Sequence, residues 1–270
     1  MAHARICLLP APCSLLFIAL LLPATGSAAP AFTLRTCFEN SDSYPWLLQS
    51  GEGVVQYHLK AVATALDAEI VLTPLPWKRC LSQVSSGQMD AAIKMSYSVE
   101  RATKVGVYPM REGKPDPAKR LLTESYSLYQ LKGGKSQWDG STLRVNGIVA
   151  AQSGFSIVDL LQAAGAEVDD SSRDPLIMLK KLVMDRAQAT AIQTEVADSI
   201  LVAHPELQAR IERLSPVLVE KPYYLVFSHR FYQAHPRQSR QVWDAIEQVR
   251  DSAAYQRYAT SLRSTPPVGE

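Results

Sequence analysis

After Phe32 the sequence has no apolar run long enough to span a bilayer, which excludes direct membrane insertion of the remaining chain. It has no run of like charge either. Its 28 Lys and Arg are spread along 270 residues, and the formal net charge is only +2. That removes the electrostatic case for a nucleic-acid partner. No GxSxG, P-loop or GxGxxG pattern occurs, so the common nucleophile and phosphate motifs are missing. His58, His204, His229 and His235 follow the N-terminal segment, and none pairs with another His or with Cys at metal-ligand spacing. The sequence therefore calls for no metal and no cofactor. Glu39 and Glu195 are its only candidates for a general acid or base, and the chain reads as something other than an enzyme.

Cysteine is scarce, and half of it lies in the N-terminal segment. Met1 to Arg5 carries a positive charge, Ile6 to Leu22 is apolar, and Pro23 to Ala29 is small and turn-prone. This is the grammar of a secretory signal peptide, with cleavage expected near Ala28 and delivery of the mature chain to the periplasm. Cys7 and Cys13 would leave with it. Cys37 and Cys80 would remain in an oxidising compartment, where a single disulfide is the default expectation and two separate buried thiols the alternative. Such a bridge would close a loop of roughly 40 residues, worth about 4 kcal/mol on the chain-entropy model.

What is present is ordinary globular composition, 47% hydrophobic and 20% charged, with strands and helices alternating. Phe32 to Phe38 reads as a strand. Val54, Val55, Leu59, Val62 and Leu66 keep helical spacing, Ile70 to Leu72 is a second strand, and Trp77 opens a helix carrying Cys80. Gly87 ends that helix, and Ala91 to Met95 is a buried strand. Ser98 can cap the next helix, which puts Arg101 in its first turn. A cation there, where the helix dipole favours anions, points to a shared anion site. The other reading is a solvated surface arginine. Such alternation implies a parallel α/β sheet, whose ligands bind beyond the carboxyl ends of the strands. Glu39, Tyr44, Trp77, Ser96 and Arg101 fall at that edge.

A charged, proline-bearing loop from Arg111 to Lys119 and an extended stretch from Leu121 to Leu131 lead to a second unit with the same grammar. Leu143 to Ala151 is a strand and Gln152 to Ser156 a turn. Ser156 and Asp159 fit a capping box. Asp174 and Pro175 open a helix, Ala189 to Gln193 is a strand, and Glu195 starts a helix. Tyr223 to Ser228 is a further strand, and one long helix is expected over Arg237 to Leu262.

The phrase Gly87-Gln88-Met89-Asp90 leading to Glu100-Arg101, with the export signal and the two α/β units, resembles the bacterial periplasmic solute-binding proteins of family 3, the polar amino-acid binders of ABC importers. The resemblance covers roughly Phe32 to Leu262. It implies the type II periplasmic binding fold: two lobes, each a mainly parallel sheet flanked by helices, joined by two extended crossovers and closing on a ligand. Lobe 1 would span 29–124 and 223–270, and lobe 2 125–222, after a 1–28 signal peptide. By position, Arg101 and Ser96 resemble the residues that hold a ligand carboxylate. Tyr44 resembles the aromatic that covers the ligand, with Trp46 close by; both could instead be core aromatics. Gly154-Phe155-Ser156 resembles the second-lobe turn that offers N–H groups and a hydroxyl, unless Ser156 only caps its helix. Thr194 stands where relatives carry the Asp that pairs with an α-ammonium, so ordinary α-amino acids are expected to bind weakly. Glu39 and Lys94 add charges near the mouth. The implied protein is a monomer that captures a small polar solute, an amino acid or related carboxylate, and passes it to an inner-membrane ABC permease. A sensor subunit, or an exported enzyme such as a dehydratase on this fold, are the alternatives.

Overall fold

The computed structural model describes residues 1–3, 30–49 and 51–264. The expected signal-peptide cleavage near Ala28 lies outside the described residues. In chain order the first elements are β1 (Thr33–Glu39), α1 (Val54–Ala65), β2 (Glu69–Leu75), α2 (Trp77–Ser85), β3 (Ala91–Ser96), α3 (Val99–Lys104), β4 (Gly106–Val107) and a small hairpin of β5 (Met110–Arg111) and β6 (Lys114–Pro115). A long strand β7 (Leu122–Leu131) then leaves this unit. A second unit holds β8 (Gln137–Trp138), β9 (Leu143–Arg144), β10 (Ile148–Ala151), α4 (Ile157–Ala163), β11 (Glu167–Asp169), α5 (Pro175–Val183), β12 (Ala189–Gln193), α6 (Thr194–Ala203), α7 (Pro205–Gln208) and β13 (Ile211–Arg213). Strand β14 (Val219–Ser228) returns the chain to the first unit, which ends in α8 (His229–Ala234), α9 (Pro236–Arg250) and α10 (Ala253–Ser264).

One curled sheet runs through both units in the order β11-β10-β12-β7-β14-β3-β1-β2. At one end β2, β1 and β3 are parallel, and at the other β11, β10 and β12 are parallel. Parallel neighbours need crossover connections, which the intervening helices supply. Between the two parallel sets stand β7 and β14, antiparallel to each other and to their outer neighbours. Each divides its length: β7 pairs with β14 over Leu122–Tyr126 and with β12 over Tyr126–Tyr129, while β14 pairs with β3 from Tyr223 onward. These two ten-residue strands are the extended crossovers, and the result is the two-lobed mixed α/β fold.

The inner strands are buried on both faces and read as continuous apolar runs, as parallel strands covered by helices do. One apolar cluster runs from beneath the first unit's helices, around Leu59, Val62 and Ile246, into the second unit at Val149 and Leu161, and a separate one lies in the second unit around Leu179, Leu182 and Ile192. Cys37 on β1 is bridged to Cys80 on α2, with Cα atoms 5.7 Å apart. Asp174 caps α5 by accepting the N–H groups of Leu176 and Ile177, and Pro175 follows at the first helical position.

Three local expectations change. The terminal helix is two: Ser252 Oγ accepts the Tyr255 N–H, so α10 begins with its own cap after α9 ends. The stretch Leu143–Ala151 is also two pieces, because β9 pairs back on β8 before β10 enters the main sheet. Ser156 caps nothing; its hydroxyl turns toward the other lobe.

Candidate functional site

Where the lobes face each other lies a cavity of about 540 Å³, its open mouth included. Its first wall is the end of β1 with the loop behind it, Glu39 and Ser41 to Ser43. Its second is Trp77 at the start of α2. Its floor is Ile93, Lys94 and Ser96 of β3 with Tyr126, Tyr223 and Gln193 from the crossovers and β12, and its far wall is Phe155 and Ser156.

Ser98 caps α3 through the Arg101 N–H at 3.1 Å, as its position after β3 requires. The helix has only six residues, so its dipole is a small part of the local field. Arg101 acts instead through its side chain, which lines the cavity. Nη1 donates to Ser96 Oγ at 2.9 Å and to the Ser96 carbonyl at 3.2 Å, and Nη2 donates to the Gly154 carbonyl at 3.1 Å on the opposite lobe. The guanidinium lies 5.8 Å from the Trp77 ring centroid, and Trp77 meets Phe155 edge-on. Among the described residues no carboxylate lies within 4 Å of Arg101. Beside it, Ser96 Oγ and Ser156 Oγ are 3.0 Å apart, and Lys221 Nζ donates to Ser156 Oγ at 3.0 Å. Burial and the neighbouring Arg101 push the Lys221 ammonium below its usual range. Asp159 acts on Lys221 from a distance and opposes that shift, but among the described residues no acid pairs with either cation, and two cations beside two hydroxyls are the donor set that a carboxylate satisfies.

Gly154 adopts φ +78°, which favours glycine, and directs its carbonyl rather than an N–H at Arg101. Glu39 caps α2 from a distance, Oε2 accepting the Trp77 N–H at 2.9 Å, because Pro76 at the cap position has no side-chain acceptor. Its Oε1 is buried without a partner among the described residues. Burial pushes its carboxyl above the ordinary range, against the hydrogen bond from Trp77 and the charge of Arg173.

The most heavily buried ion pair at the cavity joins Lys94, which lines it, to Glu124, which does not. Their side chains are 7% and 1% exposed, and Lys94 Nζ meets Glu124 Oε2 at 2.8 Å. The same ammonium donates to Ser43 Oγ at 2.6 Å and to Gln193 Oε1 at 3.1 Å, so all three of its protons are placed. Gln193 Nε2 donates on to the Tyr223 hydroxyl, which reaches Tyr126. Burial pushes the lysine down and the glutamate up, and each opposes the other's shift. Strand alternation would put Ile93 and Lys94 on opposite faces. Both line the cavity because Lys94 sits at φ +60° beside a register shift between β3 and β14.

Of the residues expected at the site, Glu39, Trp77, Ser96, Arg101, Phe155 and Ser156 line this cavity, and Gly154 contacts Arg101 beside it. Tyr44, Trp46 and Thr194 do not line it. Tyr44 donates its hydroxyl to the Leu262 carbonyl. Trp46 is buried, with the Arg263 guanidinium 4.7 Å from its ring. Thr194 Oγ1 is occupied by the hydroxyls of Ser125 and Ser127 at 2.7 and 2.8 Å. Gln193, Tyr126, Tyr223, Lys221 and Glu124 were missed by sequence reasoning. The one signal available was a lysine inside the apolar run Ala91–Met95.

No protein-family model matches the chain, and no curated protein matches it. Solved structures do. An ancestral arginine-binding protein bound to glutamine superposes with TM-score 0.66 at 16% identity, covering 85% of this chain and 97% of that one. The amino acid ABC transporter substrate-binding protein AbpA of Streptococcus pneumoniae, bound to L-arginine, gives 0.65 at 16%, covering 86% and 94%. A histidine kinase sensor domain similar to periplasmic binding proteins gives 0.66 at 13%, covering 86% and 94%. The chain therefore has the two-lobed fold of the type II periplasmic binding proteins.

Proposed function

We propose that this chain is a periplasmic solute-binding protein of family 3, a monomer that captures a small carboxylate between its lobes and delivers it to an inner-membrane ABC importer. It binds its solute and does not transform it. The signal peptide is removed near Ala28, lobe 1 takes in 29–124 and 223–270, and lobe 2 takes in 125–222. The observation that carries this reading is the Arg101 corner: a guanidinium and Lys221 without an acidic partner, facing two serine hydroxyls contributed by the two lobes. Arg101 also donates to Gly154 across the cleft, so a ligand seated there would touch both lobes and hold them closed. Similarity to an ABC transporter substrate-binding protein supports the importer as partner.

Similarity to a histidine kinase sensor domain favours a second reading, in which the closed lobes are presented to a receptor. A thermal-shift screen of the mature protein against organic acids, amino acids and polyamines tests the first step. A ligand at about 100 times its dissociation constant adds roughly 2.7 kcal/mol of stability. No shift with any carboxylate refutes the binding reading. Ligand uptake by reconstituted permease, against kinase activation, separates importer from sensor.

A further inference from the structure

We infer that Lys94 is a built-in ammonium that fills the cavity's buried cation seat, and that it selects ligands lacking an ammonium of their own. This deepens the proposed function and rests on it for the carboxylate end of the ligand. The seat has a complete set of acceptors: the Glu124 carboxylate, Gln193 Oε1 and Ser43 Oγ, with the Tyr223 ring 5.6 Å from the nitrogen. Ser43, Gln193 and Tyr223 line the cavity, so the seat opens on the space a ligand would occupy. Glu124 comes from β7, Gln193 from β12 and Ser43 from the loop after β1, so the acceptors converge from both lobes and a crossover. A ligand ammonium entering that space finds Lys94 already on Glu124 Oε2, Gln193 Oε1 and Ser43 Oγ, with only the buried Glu124 Oε1 left without a partner among the described residues, and meets a like charge in a poorly solvated place.

Lys94 comes two residues before Ser96 on the same strand, about 7 Å along it at strand rise. The anion corner and the resident ammonium therefore belong to one small cavity. The backbone carries a cost to keep the lysine there. A non-glycine residue at φ +60° is strained, and the register shift beside it is what turns the side chain inward. Of the other acids on the wall, Asp42 accepts the Gln49 N–H; Glu39 accepts the Trp77 N–H with Oε2 only, its Oε1 has no partner among the described residues, and burial pushes that carboxyl toward its neutral form. Thr194 supplies no acid either, and its hydroxyl is held by Ser125 and Ser127.

The test uses the mature protein and the variant Lys94→Gly, which removes the ammonium and suits the left-handed backbone. With the seat empty, propylammonium chloride should raise the melting temperature of Lys94→Gly more than sodium chloride at equal ionic strength. It should do so neither for wild type nor for Lys94→Gly/Glu124→Gln. This readout does not depend on carboxylate binding, so it stands even if the proposed function fails. Calorimetry with matched pairs, alanine against propionate and glutamate against glutarate, reads selectivity. Wild type should prefer the deaminated member, and Lys94→Gly should shift the ratio at least tenfold toward the amino acid. If Lys94→Gly does not fold even with propylammonium, Lys94→Met/Glu124→Gln carries the selectivity test, and its ratio should fall toward one. Propylammonium acting equally on all forms, or a wild type that binds an amino acid more tightly than its deaminated match, overturns the inference. So does a neutral double variant that rejects ammonium as strongly as wild type.

Discussion

Replacing Arg101 separates a ligand anchor from a structural arginine. Its guanidinium makes three hydrogen bonds, two to Ser96 and one across the cleft to Gly154. The side chain is neither fully buried nor paired with an acid, so Arg101→Ala strands no buried charge and should lower folding stability by no more than about 1 kcal/mol. Binding should suffer far more. A bound carboxylate shielded by Trp77 and Phe155 would lose its charge-assisted donors, at a cost of about 2–4 kcal/mol, or some 30- to 1,000-fold in affinity. Arg101→Lys should fall between, because an ammonium keeps the charge but cannot reach Ser96 and Gly154 with one rigid fork. The assay is titration calorimetry with the best carboxylate from the screen, alongside denaturant melts of each variant. Affinity in Arg101→Ala within twofold of wild type would falsify the assignment. A stability loss large enough to unfold the variant would show that Arg101 holds the lobes rather than the ligand.

Three further outcomes follow from separate features. Protein exported to the periplasm should show no free thiol when unfolded without reductant, and replacing both Cys37 and Cys80 by Ser should cost about 2–4 kcal/mol in denaturant melts; two reactive thiols would contradict the bridge. His58 is fully buried and donates to the Ile246 carbonyl through Nε2, and burial lowers its pKa from 6.5 to about 4. The unfolded chain then binds the proton more readily. Stability should therefore fall as pH drops from about 6.5 toward 4, by up to about 3 kcal/mol, and the advantage of wild type over His58→Phe should shrink across that window; a pH-independent gap would rule this out. Gly154→Ala should cost about 1–2 kcal/mol from φ +78°, and its Cβ would stand 3.1 Å from Lys78 Cγ, so ligand affinity should fall as the Phe155–Ser156 turn shifts; calorimetry showing tighter binding would speak against the turn's place in the site.

The order of strands and helices was legible because each element carries its own period and punctuation. Gly87 and Ser98 bracket β3 and the start of α3, and Asp174-Pro175 opens α5. The break between α9 and α10 was legible in principle, since Asp251-Ser252 interrupts an otherwise continuous stripe, but an amphipathic pattern that resumes in phase conceals its own interruption. Arg101 and Ser96 could be placed from sequence because strand, cap and first turn fix them locally. Ser156 could not be resolved. A serine before a helix satisfies the capping pattern, and only the approach of the second lobe decides that its hydroxyl meets Ser96 instead.

The limits of reading from sequence are sharpest for Thr194 and Lys94. Thr194 stands at the start of α6, and alignment by position made it the place where an acid was missing. Whether a side chain there faces the cavity depends on β7, about 70 residues earlier, whose Ser125 and Ser127 take its hydroxyl. Lys94 is the reverse case. In the sequence its ammonium reads only as a charge near the mouth, and nothing local says that Glu124, Gln193 and Ser43 converge on it. Burying that pair requires its protons to be placed, and the placing of all three lysine protons comes from four segments that meet only in the fold. The cavity's charge pattern is thus set by contacts of long sequence separation, while the fold that gathers them is set by short-range pattern.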